Sequence, residues 1–136
     1  MSKPTTPEEL LHSREICMLS TVSPDGSVHA MPMWYLYEEG KIWFMTGDTV
    51  QKTKNVARTG KATVTLDLRE RPYYAVMIKG KAEVGGPLPR ERVVRLMTRY
   101  ISEADANAYA DKLESRGGNA SIVVTPTKMV EFNSGT

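Results

Sequence analysis

The spacing of apolar residues along the chain switches between two periods, and each switch marks an element. Residues 16–22 (ICMLSTV) are a short apolar run of strand type, preceded by a helix-compatible segment at 8–15. Ser23-Pro24-Asp25-Gly26 closes the run, with proline second and glycine fourth as a type I turn prefers. Residues 28–37 then read as the returning strand of a hairpin, and Glu38-Glu39-Gly40 separates them from a third strand at 41–46. Pro32 lies inside the second strand and cannot donate to a ladder, so an edge or a bulge is expected there.

Asp48-Thr49 is a candidate N-cap for a helix running to Thr59, with Gly60 placed to end it. Period two returns at 61–68 and again at 73–84, where Gly80 marks a bulge. Beyond Gly85–Pro89 the period lengthens, and Val93, Leu96, Met97, Tyr100 and Ile101 recur at helical spacing. Ser102, three residues before Asp105, opens a second helix whose apolar face is Ala106, Tyr109, Ala110 and Leu113. Residues 120–124 and 128–132 form a last strand interrupted by Pro126. Six short antiparallel strands with a helical pair on one side predict an α+β fold, a mostly-β barrel formed by residues 1–136 as one domain.

Composition narrows the classes of function. At 136 residues, 40% hydrophobic and 25% charged, the chain is an ordinary globular domain rather than a disordered or membrane-spanning one. A net charge of +2 is too small to name a nucleic acid as partner. Met1–His12 lacks the apolar stretch of a secretory signal, and no segment approaches the ~20 apolar residues of a membrane span, so the expected location is the cytoplasm. Cys17, the only cysteine, sits in an apolar run and reads as a small buried hydrophobe. His12 and His29 have no cysteines or paired carboxylates at ligand spacing, so no metal site is expected. No residue is nominated as nucleophile or general base; Tyr73 or Tyr74 could donate a proton, or simply pack. Any redox chemistry would therefore come from a cofactor.

Three constellations carry candidate chemistry. Lys52 and Lys54 fall in the first turn of the predicted helix, where each cation opposes the helix dipole by ~0.3–1 kcal/mol. A phosphate at that end would gain from the dipole, the free N–H groups and both ammonium charges; the alternative is that both lysines point into water. Met31 to Tyr35 and Trp43 to Met45 place large polarisable side chains on two strands expected to be adjacent, as core, as the wall of a slot for a flat ring, or as both on alternate faces. Arg92, Arg95 and Arg99 form a basic stripe on one helix, either a solvated face or, with the aromatics, a surface for single-stranded nucleic acid.

Four stretches occur in an order that resembles the flavin-binding split-barrel superfamily typified by pyridoxamine 5′-phosphate oxidase. They are LSTVSPDGSVHAMPMWYLYEEGKIWFMT, QKTKNVARTGKATVTLD, YYAVMIKGKAEV and VVTPTKMVEF. The resemblance implies a homodimer of six-stranded split barrels with a cofactor site at each end of the subunit interface. It assigns Met31, Pro32, Met33 and Trp34 to the cofactor ring, Thr46 to the cofactor tail, and Gln51, Lys52, Thr53 and Lys54 to its phosphate. The oxidases themselves carry basic residues at both ends of the second-strand motif, where this chain has His29 and Trp34. The chain looks more like the small branch that binds the deazaflavin F420, whose near relatives use FMN. The implied function is hydride transfer between F420 or FMN and a small organic substrate, with a non-catalytic flavin- or haem-binding protein as the alternative.

Overall fold

The computed structural model describes residues 3–135. Thr6 starts α1 (Pro7–Leu11) by accepting the Glu9 amide on its hydroxyl, and Pro7 occupies the first turn, where a missing N–H costs no bond. β1 (Cys17–Val22) and β2 (Val28–Met33) pair around the expected turn, in which the Gly26 amide donates to the Ser23 carbonyl at 2.9 Å. β3 (Leu36–Glu38) pairs with β4 (Lys41–Gly47), and α2 (Gln51–Thr59) follows. Gly60 ends α2 at φ +67°, a left-handed conformation that glycine adopts without a Cβ clash. β5 (Lys61–Leu68), β6 (Tyr74–Gly85), α3 (Arg90–Met97), α4 (Glu103–Ser115) and β7 (Asn119–Asn133) complete the chain. The Ser102 hydroxyl caps α4, as its spacing predicts, by accepting the Asp105 amide at 3.1 Å.

All strands join one antiparallel sheet in the order β2-β1-β5-β6-β7-β4-β3, curled into a half-barrel. β2 and β3, consecutive in sequence, are its two opposite edges. The inner face buries Leu19, Ile42, Phe44, Val64, Ile78 and Ile122 with Leu10 and Leu11 of α1. A second apolar cluster, including Leu36, Val93, Leu96 and Ala106, lies beneath α3 and α4. Among the described residues no helix is long and apolar enough to cross a membrane.

The sheet has seven strands where six were expected, because residues 28–37 do not run through as one strand. Pro32 sits on the open edge, opposite Met18. After Met33 the chain is drawn off the ladder by two side chains. Trp34 stacks on Tyr100 with ring centroids 4.7 Å apart, and fully buried Tyr35 donates its hydroxyl to the Leu11 carbonyl at 2.9 Å. The last strand, conversely, is continuous across Pro126. It bulges there: Lys79 pairs with Lys128 and Gly80 with Pro126, which leaves Thr127 of β7 as the extra residue. A Cβ on Gly80 would lie 2.6 Å from the Thr125 carbonyl oxygen, so only glycine lets the strands approach this closely.

A candidate anion site at the start of α2

α2 begins without the cap expected from Asp48-Thr49: its N-cap is Val50, which offers no side-chain acceptor. The Asp48 amide is instead tied to the Gly118 carbonyl at 2.9 Å. No acidic residue lies in the first turn of α2. That turn carries Lys52 and Lys54, which oppose the dipole, and has no carboxylate to complement it, an arrangement suited to a bound anion.

Hydroxyl and amide groups hold this start in place. Thr53, buried, donates its hydroxyl proton to the Gly47 carbonyl at 2.6 Å. Thr46 lies 3.0 Å away, and with the Thr53 proton already engaged, Thr46 is the donor of that pair. Both protons are thus used inside the protein, which fixes the end of β4 to the first turn of α2. Asn55 does the same one turn on. Fully buried, it donates to the hydroxyls of Thr21 at 3.1 Å and Ser23 at 3.2 Å, and accepts from Gln51 at 2.8 Å and Arg58 at 3.1 Å. Every hydrogen-bonding position of its amide is filled, and α2 is pinned to the β1–β2 hairpin. Asn55 was not singled out in the sequence; the available signal was a poor helix former placed on the buried side of a short helix.

The residues assigned to the ring are distributed along β2. Met31 is 44% exposed and Pro32 is exposed, whereas Met33 packs on the inner core and Trp34 on the cluster beneath α3 and α4. β2 leaves the hairpin tip beside Asn55 and runs away from it, so His29 and Met33 are about 13 Å apart along the strand. The expectation that Met31–Tyr35 and Trp43–Met45 occupy adjacent strands is corrected: β2 and β4 are not hydrogen-bonded neighbours. Phe44 fills the core, and Trp43 and Met45 face α3 and α4. The Nδ1 of His29, on the inner face opposite Thr21, is buried without a partner.

The arginine stripe is engaged within the protein. Arg92 bonds Glu38 at 3.0 Å and Glu39 at 2.6 Å while lying 3.8 Å over the Trp43 ring. Arg95 bonds Glu38 at 2.7 Å, and Arg99 reaches the Ser13 carbonyl across the Tyr35 ring. The stripe clamps α3 to the β3–β4 hairpin. The Arg95 hydrogen bond, with the Arg92 charge, holds the Glu38 carboxyl below its ordinary 4.5. Tyr74, buried against Glu131, has its phenol pushed up to about 12 and is a poor proton donor at neutral pH; Tyr73 is 42% exposed. Among the described residues no group of His, Cys, Asp and Glu could hold a metal ion.

The family model described as pyridoxamine 5′-phosphate oxidase matches residues 6–132 of the chain. None of the curated proteins compared matches it. Among solved structures the chain is similar to an F420 reductase, at 23% identity and TM-score 0.73, over 94% of this chain and 98% of that one. It is similar to a conserved hypothetical protein from Mycobacterium tuberculosis, at 20% identity and TM-score 0.78, over 96% and 86%. The haem storage protein HutZ from Vibrio cholerae shares 10% identity at TM-score 0.71, over 93% and 90%. At such identities the likeness is one of fold.

Proposed function

Because the chain belongs to the pyridoxamine 5′-phosphate oxidase family, we propose that it is a cytoplasmic, homodimeric oxidoreductase moving hydride between bound F420 or FMN and a small organic substrate. The observation that carries this reading is the start of α2: an uncapped helix terminus bearing Lys52 and Lys54, with no acid in its first turn. The donor set fits a phosphate, which needs N–H groups and positive charge.

A flavin or deazaflavin supplies the hydride chemistry when bound. Lys52, Lys54 and the first-turn amides hold its phosphate. Gln51, Thr46 and Thr53 act as positioning residues through their bonds to Asn55, Gly47 and each other. Exposed Met31 and the backbone around Pro32 border the ring, while Met33 and Trp34 anchor the end of β2. The outer face of the sheet favours a dimer. Pro32, Met18, Thr65, Met77 and Val130 stand in register across five strands, with Met77 39% and Val130 42% exposed. Such a face is poorly suited to water and well suited to a second copy.

The test is a fluorescence titration of wild type and Lys52→Ala/Lys54→Ala with F420 and with FMN. Two charge-assisted contacts of about 1 kcal/mol each predict a roughly 30-fold weaker Kd with an unchanged fold. Unaltered affinity overturns the placement of the phosphate. The likeness to a haem storage protein keeps the non-catalytic reading open to one check: haem titration giving a Soret band, with neither F420 nor FMN bound, replaces the oxidoreductase by a haem carrier.

A further inference from the structure

The strongest feature outside that site is a cavity of about 650 Å³ between the α3–α4 pair and the adjoining ends of β4 and β7. Its volume falls within the roughly 300–1,000 Å³ of small-molecule sites. Gly117 and Gly118 line it and contribute no side chain to fill it. Its apolar wall comes from Met45, Leu88, Val93, Tyr109 and Leu113, and its polar side chains are Thr46, Arg90, Glu114, Arg116 and Asn119.

The charges on this wall do not cancel evenly. The Arg90 guanidinium is matched by Glu114 and by Asp111 at 2.9 Å. At the end of α4 the carbonyls of Leu113 and Arg116 accept from the Asn119 side chain at 2.7 and 3.1 Å, which blunts the negative end of that helix. Arg116, by contrast, has no carboxylate within ion-pair distance among the described residues, and its guanidinium lies 5.9 Å from the Tyr109 ring centroid. The start of α3 at the same wall is N-capped by Pro89 with no side-chain hydrogen bond, but Glu91 in its first turn already answers the dipole. One cation without a carboxylate partner therefore stands at the mouth of a cavity whose walls are partly apolar.

We propose that this cavity, which adjoins the α2 site at Thr46 and Gly47, is a second small-molecule site that selects amphipathic monocarboxylates. The carboxylate pairs with Arg116 at the rim, and the apolar body lies among Leu88, Val93, Tyr109 and Leu113. Arg116 is exposed, so the ion pair forms at the cavity mouth while the apolar body is buried inside. The site needs no cofactor and does not rest on the oxidoreductase reading.

Octanoate and its neutral amide, octanamide, are the probes, titrated by calorimetry and by amide chemical shifts at Leu113, Gly117 and Gly118. Octanoate is expected to bind at least tenfold tighter than octanamide. Arg116→Gln removes that difference, Arg116→Lys retains most of it, and Leu113→Trp, which fills the chamber, abolishes binding of both. Lys52→Ala/Lys54→Ala leaves octanoate binding unchanged, so failure at α2 and failure here are distinguishable. Equal wild-type affinities for the two probes, shifts that map elsewhere, or no binding at all would each overturn the proposal, and the wild-type comparison stands even if a variant fails to fold.

Discussion

Replacing Asn55 by alanine probes how the proposed anion site is built. The substitution removes two hydrogen bonds between α2 and the β1–β2 hairpin, to Thr21 and Ser23, and leaves Thr21, 2% exposed, without that partner. Each bond is worth about 1 kcal/mol, and the orphaned hydroxyl with the vacated volume adds roughly another. The bonds to Gln51 and Arg58 lie within the helix and add little, while alanine's better helix propensity returns about 0.5 kcal/mol. The net loss is about 2 to 3 kcal/mol. For 136 residues this corresponds to a fall in Tm of roughly 7–10 °C. Guanidinium melts at constant m-value and thermal scans measure the loss, and a cofactor titration on the same variant reads the loosening of the helix start. A loss under about 0.5 kcal/mol would refute the view that this amide fastens α2 to the sheet.

Three further outcomes are expected. Gly80→Ala forces a Cβ to within 2.6 Å of the Thr125 carbonyl oxygen, and the strands must shift at a cost of about 1–3 kcal/mol, read from equilibrium melts. Glu38→Gln lowers stability at neutral pH; because the folded carboxyl titrates below 4.5, that deficit is constant above 4.5 and closes as acid protonates the wild-type group, which a stability-versus-pH series follows. Burial pushes the Cys17 thiol up to about 12, so Ellman's reagent at pH 8 labels nothing in the native protein and one thiol per chain after unfolding.

The sequence revealed what depends on local chemistry. Gly60, Gly80, Ser102 and the alternation at 61–68 each specify their own surroundings, and each appears where its spacing placed it. It concealed what depends on distant partners. Residues 28–37 carry strand-like side chains throughout, yet the ladder breaks after Met33 because the partners of Trp34 and Tyr35 are Tyr100 and Leu11. The arginine stripe was visible as a period; that it serves Glu38 and Ser13 depends on the approach of the β3–β4 hairpin and the end of α1. For the candidate site, Lys52 and Lys54 could be picked out by their conflict with the dipole. Asn55, whose bonds cross to residues 32 and 34 positions away, could not.

Only Trp34 and Tyr35 separate Met33 on one edge of the sheet from Leu36 on the other. Three peptide steps reach about 11 Å at full extension, so the two edges are leashed together at that corner. Toward Val28 and Gly47 the link is α2, hydrogen-bonded to the end of β4 through Thr53 and to the β1–β2 hairpin through Asn55. The two edges are therefore held at both ends, by chain length at one corner and by the side-chain hydrogen bonds of α2 at the other. Lengthening the Trp34-Tyr35 link would release only the first of these restraints.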